Sequence, residues 1–489
     1  MTATAIDLPG TLRFRAVLFR ALLGCVCTVT FAPRAAIAQK PSVDSSGMRG
    51  MVMAGKVKPG TELPAMAMPD TGMSGMKMPG TVGVPADRNA SGTAWIPDAV
   101  SEPMRHFVAG NWDLMLHGAA FAQYDNQGGS RGDSQLGVID WAMLMATHDL
   151  AGGRLQLRSM LSLDRVGVGG SGSPQLLQTG ERFNGLLLHD RQHPHDFFME
   201  VAALYDRALT PDVGVELYLA PSGEPALGPL ANMHRPSAMD NPMVPIGHHW
   251  QDASHVSFGV ATAGIFTRNW KFEGSIFNGR DPDENRWDFD FNPLDSYSGR
   301  VTFNPDSAWS LSASYGFIKS PETLDPGHSM HRMVLSIQNG GRLRSDGQWA
   351  TTLLWGANGH SDQPGLSNSA LAEGEVMLDA KNTVFARAEF VQKPADDLAL
   401  TGGPSGFAPG RSFDVGAFSL GYVRELTQGR GMTLGLGALG TLNSVPSALE
   451  AAYGSRTPVG AMVFLRVRAL GSRATEMAAM KGMKGMNER

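Results

Sequence analysis

Cysteine is almost absent from this chain. Its two cysteines, Cys25 and Cys27, both lie in an N-terminal stretch that reads as an export signal. A mature chain without that stretch has no disulfide and no thiolate ligand. Any metal site must then use methionine, histidine or carboxylate. Long apolar runs are missing too: after the leader no segment offers ~20 uninterrupted apolar residues, which excludes a transmembrane helix. Positive charge is not concentrated. Lys and Arg number 41 against 46 Asp and Glu, a formal net charge of −5, and no basic patch suggests a nucleic-acid partner.

The leader is expected to span residues 1–38. Arg13, Arg15 and Arg20 precede or interrupt the apolar run 16–32, and Ala36-Ile37-Ala38 fits the small-residue cleavage rule. Arg20 leaves too short an apolar run for an anchor helix. Leu22-Leu23-Gly24-Cys25 offers an alternative cleavage, with Cys25 as a lipidated residue.

Residues 39–104 are low-complexity, rich in Pro, Gly, Ala and Met, with six basic residues against six acidic ones. Such a segment cannot bury enough surface to fold alone and is expected to be disordered. Its methionines cluster as Met51, Met53, Met66, Met68, Met73, Met76 and Met78. The C-terminal tail, 471–489, repeats the theme with Met477, Met480, Met483 and Met486 at steps of three. Thioether sulfur is a soft ligand that selects Cu(I). Filler methionine belongs in a core, whereas these residues stand among Gly, Pro and Lys.

Seven of the thirteen histidines fall within residues 185–255: His189, His193, His195, His234, His248, His249 and His255. Asp190, Asp196, Asp240 and Asp252 lie among them. These stretches are Pro-rich and aperiodic, so they are expected as long loops.

From residue 111 onward the chain breaks into short segments with period-two alternation. Trp309, Leu311, Ala313, Tyr315 and Phe317 share one face, opposite Ser310, Ser312, Ser314 and Gly316. Leu155, Leu157 and Leu161 likewise oppose Arg154, Gln156 and Arg158. About sixteen such segments occur, each near the ~9–11 residues that cross a bilayer as a tilted strand. Short and long connections alternate, and the two longest hold the histidines. The expected fold is an all-β, antiparallel transmembrane β-barrel of about 16 strands over residues 105–470, between Met-rich tails. An even strand number places both tails in the periplasm of a Gram-negative cell. A soluble sandwich or propeller fits less well, because many strands are too long and end on aromatics such as Trp270, Phe303 and Tyr422. The expected partners are outer-membrane lipid, the barrel-assembly machinery and periplasmic copper proteins.

This layout resembles the outer-membrane copper-resistance proteins of the B type. The segments HDRQHPHDFF (189–198), MHRPSAMDNP (233–242) and GHHWQD (247–252) are similar to those of a proteobacterial outer-membrane β-barrel family associated with copper-resistance loci. That resemblance covers most of residues 105–470. It implies a role near copper and brings no assigned activity.

The histidine loops allow three functions. Imidazole with carboxylate suits Cu(II) or Zn(II), so His189, His193, His195, Asp196, His234, His248, His249 and His255 are candidate ligands for Cu(II) beside Cu(I) on the tails. The expected function is copper binding, sequestration or export, with no organic cofactor. Alternatively, Asp190, Arg191, Arg235, Asp240 and Asp252 form a structural plug in a passive porin. Arg154, Arg158, Lys271, Glu273, Arg387 and Glu389 then line a wet channel. A surface metal-dependent hydrolase built on His193, His195, Asp196 and His249 is the third, although no clear nucleophile accompanies them and the chain is expected not to be an enzyme. Val256, Phe258 and Val260 are expected to face lipid, which turns His255 into the lumen. The acidic loop 279–295 lacks the spacing of a calcium loop.

Overall fold

The computed structural model describes residues 81–179, 182–321, 327–343, 347–362, 365–402, 406–429 and 431–469. Seventeen strands form one sheet: β1 Met104–Ala109, β2 Trp112–Gln127, β3 Ser134–Leu150, β4 Gly153–Leu161, β5 Phe198–Ala208, β6 Gly214–Gly223, β7 Ser257–Phe266, β8 Trp270–Phe277, β9 Ser296–Phe303, β10 Trp309–Lys319, β11 Ser329–Arg342, β12 Gln348–His360, β13 Ser367–Met377, β14 Asn382–Pro394, β15 Ser412–Gly429, β16 Met432–Ser444 and β17 Val459–Ala469. Each pairs antiparallel with the next from β1 to β17, and β17 pairs back onto β2, with Ala119 opposite Arg468. The pairing of β17 onto β2 closes the ring. β1 covers the first half of β2, Met104 opposite His117, while β17 covers the second half. These two strands lie end to end in one column, so the barrel has sixteen columns.

Alternation in the sequence becomes alternation between lipid-facing and inward residues. On β10, Trp309, Ala313 and Tyr315 are exposed while Ser310, Ser314 and Gly316 are buried. On β17, Val459, Val463 and Leu465 point out, and Met462, Arg466 and Arg468 point in. Aromatics collect at the strand ends. Trp270 stacks on Phe303 at 4.1 Å beside the short turns, and Tyr297 stacks on Phe317 at 5.3 Å toward the other end. An apolar outer band between two aromatic girdles is what a lipid bilayer demands of a barrel. The chain is a β-barrel of the outer-membrane type. Among the described residues no helix is long and apolar enough to cross a membrane.

The interior is filled. Residues 84–103 run inside the barrel and supply acceptors to inward-facing cations. Arg158 donates to the Gly92 carbonyl at 2.6 Å, Lys271 to the Thr93 carbonyl at 2.8 Å, and Arg300 to the Thr93 hydroxyl at 2.9 Å. The loop between β6 and β7 crosses the same space. Its Gly228 amide donates to Ser314, its Ile246 amide to Glu389, and its Met243 carbonyl accepts from Arg387. Asp240 pairs with both Arg466 and Arg468, and Arg235 bridges Asp252 and Glu373.

Three expectations change. The segment 39–104 was expected not to fold, yet from Thr81 onward it is placed, and most of residues 84–103 are buried. Its few apolar residues suffice because the wall supplies partners: Trp95 packs on Phe266 at 6.3 Å. Residues 39–80, the leader 1–38 and the tail 471–489 lie outside the described residues. Second, Val256, Phe258 and Val260 are buried inside the barrel; Ala263 and Ile265 are the exposed residues of β7. The interior at that height is packed with side chains, so inward positions are apolar there. Third, several of the charges expected to line a channel are paired with one another inside the barrel. Lys271 lies 2.7 Å from Glu216 and 3.2 Å from Glu273, Arg300 pairs with Glu273, and Arg387 pairs with Glu373.

Candidate functional site

Two long loops meet in the upper lumen. One joins β4 to β5 and carries His189, His193, His195 and Asp196. The other joins β6 to β7 and carries His234, His248, His249 and His255. A single helical turn, His248–Gln251, sets His248 and Asp252 four residues apart on one face.

Three imidazoles share one orientation pattern. His195 Nδ1 lies 2.7 Å from Asp164 Oδ2, His248 Nδ1 lies 2.6 Å from Asp252 Oδ1, and His255 Nδ1 lies 2.8 Å from the Asp252 carbonyl. A carbonyl or carboxylate oxygen only accepts, so each Nδ1 carries a proton, and in the neutral ring each Nε2 presents a lone pair. Histidines that ligate metals are held in this way. The rings lie together: His195 to His255 is 5.4 Å between centroids, and His248 to His255 is 5.1 Å. His249 lies 5.6 Å from His248, and His193 lies 6.5 Å from His249, extending the group to five imidazoles. His193, His195, His248, His249, His255 and Arg286 line a void of about 20 Å³, room for one water-sized body.

Burial favours the uncharged form at two of the rings, His193 and His255. Burial pushes the His255 imidazole down to about 3, with His248 and His195 adding to the effect. Burial also takes His193 well below the usual histidine range, and the Arg286 guanidinium lowers it further. Asp252 stays ionised: burial alone would raise its carboxyl, but Arg235 and His248 outweigh that and hold it low.

Other predicted residues fall elsewhere. Asp196 borders the void but forms an ion pair with Arg286 at 3.1 Å. His189 is half-exposed and pairs with Asp190 at 2.9 Å. Asp190 itself accepts from Arg131, Tyr453 and the Leu177 amide, stapling three outer loops together. His234 leaves the mouth group and reaches the wall at His117, 5.3 Å between ring centroids. The tail methionines Met51, Met53, Met66, Met68, Met73, Met76, Met78, Met477, Met480, Met483 and Met486 lie outside the described residues.

Sequence reasoning missed Asp164 and Arg286, which orient or border the histidines from distant positions. Nothing in their local sequence marks them. It also missed six buried methionines packed together: Met104, Met115, Met143, Met145, Met160 and Met199. There the signal was present. Met115 and His117 alternate with outward residues on β2, as Met143 and Met145 do on β3, so all four point inward. Among the described residues, the groups of three ligating side chains with donor atoms within 4.8 Å of one another are Glu102, His117, His234 and the less buried Asp283, Asp288, Asp290.

No protein-family model matches the chain. No curated protein matches it either. Among solved structures, OmpF of Salmonella typhi in complex with daunomycin is similar over 74% of this chain and 100% of its own, at 10% identity and a TM-score of 0.43. OmpT, an outer-membrane protein of Vibrio cholerae, covers 75% and 99% at 8% identity with a TM-score of 0.42. The anion-selective porin from Comamonas acidovorans covers 73% and 99% at 13% identity with a TM-score of 0.41. Nothing about ligand or transport follows from likeness at that level.

Proposed function

We propose that this outer-membrane barrel binds copper ions in its upper lumen and so takes part in copper sequestration or export. The observation that carries this reading is the common orientation of His195, His248 and His255, each with Nδ1 held by an oxygen acceptor. Neutral imidazole nitrogens with carboxylates behind them suit Cu(II) and Zn(II). His195 comes from one loop and His248 and His255 from the other, so an ion drawn between them ties the two loops together over the lumen. The Met-rich tails, as soft thioether donors for Cu(I), and the copper-locus resemblance support copper over zinc.

A passive porin for small solutes is the second reading. It is favoured by the barrel itself and by the charged inner wall at Arg158, Lys271, Glu273, Arg387 and Glu389. The segments crossing the lumen weigh against it, because those charges hold them there.

The two readings separate in one pair of measurements on the detergent-folded protein: Cu(II) binding and single-channel conductance in a planar bilayer. The copper reading expects saturable Cu(II) binding that weakens in His195→Ala, with little conductance. Steady conductance with no copper binding would transfer the protein to the porin reading.

A further inference from the structure

The wall below the mouth carries a second gathering of donors. Glu102 sits on the segment that leads into β1, His117 on β2, and His234 on the loop between β6 and β7. Glu102 Oε2 lies 3.1 Å from His117 Nδ1 and 3.7 Å from His234 Nδ1, and all three residues are buried. An ion bonded to nitrogen and oxygen at ~2.0–2.2 Å sets neighbouring donors roughly 3–3.5 Å apart, close to these separations.

Glu102 Oε1 and His117 Nε2 have no hydrogen-bond partner, and the Nδ1 atoms of His117 and His234 both meet the one oxygen, Glu102 Oε2. Buried polar atoms ordinarily have partners, so two without them beside a carboxylate shared by two imidazoles point to a missing occupant. The tautomer of His234 sharpens the point. Its Nε2 lies 3.1 Å from Met160 Sδ. A thioether can only accept, so Nε2 carries a proton, and in the neutral ring Nδ1 turns a lone pair toward Glu102. In that form an ionised carboxylate faces the imidazole lone pair, and either a metal ion between them or a second ring proton relieves the repulsion.

The surroundings speak for the kind of cation. His117 faces Met104 across β1 and β2 and Met143 across β2 and β3, and Met143 faces Met160 across β3 and β4. Imidazole and carboxylate accept Cu(II), and thioethers accept Cu(I). Among first-row metals copper is the one that both donor sets suit. We propose that Glu102, His117 and His234 bind one copper ion inside the barrel, at a site separate from the mouth histidines and sharing no ligand with them. Its choice of metal rests on the copper reading above; its existence does not. Glu102 belongs to the segment that carries the Met-rich stretch, so the site joins that segment to the wall.

The test counts Cu(II) equivalents and their affinities on the full-length mature protein folded in detergent, with electron paramagnetic resonance reporting nitrogen coordination. Wild type is compared with Glu102→Gln, His117→Gln and the mouth variant His195→Ala. Retained folding is checked by the heat-dependent gel shift of closed barrels. Glu102→Gln keeps shape and hydrogen-bonding capacity, so it stands as the folded variant should His117→Gln fail to fold. The expected result is one equivalent weakened by about a hundredfold in Glu102→Gln and His117→Gln, since loss of an orienting partner alone costs 10–100-fold. His195→Ala should leave that equivalent intact. Folded deep variants that bind like wild type would overturn this inference, and they leave the mouth reading standing if His195→Ala loses copper. The reverse pattern removes the mouth reading and keeps the deep site. A wild-type chain that binds no Cu(II) defeats both.

Discussion

Arg235, buried at the centre of the loop between β6 and β7, reaches across the lumen to Glu373 on β13 at 2.5 Å. Its other arm meets Asp252 at 2.6 Å. One guanidinium thus fastens the loop to the wall and orients the carboxylate that holds His248. Removing it takes a guanidinium from two buried carboxylates, leaving Glu373 to Arg387 and Asp252 to His248. Breaking a buried pair from one side is destabilising by about 3–5 kcal/mol. Arg235→Leu is therefore expected to lower the urea midpoint of unfolding or to free the loop, seen as new conductance in a planar bilayer. A variant with wild-type stability and no conductance would show that the pair does not hold the loop.

Steric fit makes a second, independent handle on the same loop. A Cβ at Gly356 on β12 would lie 2.2 Å from the Trp250 carbonyl oxygen. That oxygen belongs to the helical turn carrying His248, and a backbone atom cannot step aside as a flexible side chain can. Gly356→Val should push the turn inward, admit ions through the barrel and weaken copper binding at the mouth. Gly440 on β16 meets nothing within 4 Å, so Gly440→Ala serves as a silent control. Equal conductance in the two variants would remove the loop from the account of closure.

A pH effect follows from Glu224, just past the end of β6. Burial pushes its carboxyl up to about 8, despite the nearby Arg300 and the 2.6 Å hydrogen bond from Ser91. The folded chain therefore holds a proton that the unfolded chain releases near its ordinary value of 4.5. Stability is full below that value, falls as pH rises through the window, and levels off above about 8. The slope is at most about 1.4 kcal/mol per pH unit. Thermal midpoints should decline between pH 5 and 8 in wild type and decline less steeply in Glu224→Gln. An unchanged slope in that variant would assign the decline to another group.

The strands were legible in the sequence because lipid and lumen impose opposite chemistry on alternate residues. β10 and β17 show it plainly in Trp309–Lys319 and Val459–Ala469. The seam was not legible. β1 completes the column that β17 leaves short, and a six-residue strand with five exposed positions carries no alternation. The filling of the lumen was half legible. Asp190, Arg191, Arg235, Asp240 and Asp252 were readable as a plug by composition, and all five are paired in the structure. Residues 84–103 were not, because their burial depends on Arg158, Lys271 and Arg300, whose reach inward no local pattern announces. Val256, Phe258 and Val260 were assigned to the wrong face for the same reason: a filled lumen makes inward positions apolar. The histidine group came together as a cluster because its loops are neighbours. His234 left it, since its partners Glu102 and His117 lie far away in sequence.

The central claim is that the upper lumen is a metal site formed by His195, His248 and His255. Anomalous diffraction at the copper absorption edge, from crystals of the detergent-folded protein soaked in Cu(II), tests it most directly because it locates the ion. The account predicts a peak bonded to Nε2 of these three imidazoles, with both long loops drawn around it. A fully occupied copper-soaked crystal with no peak in the upper lumen would contradict it.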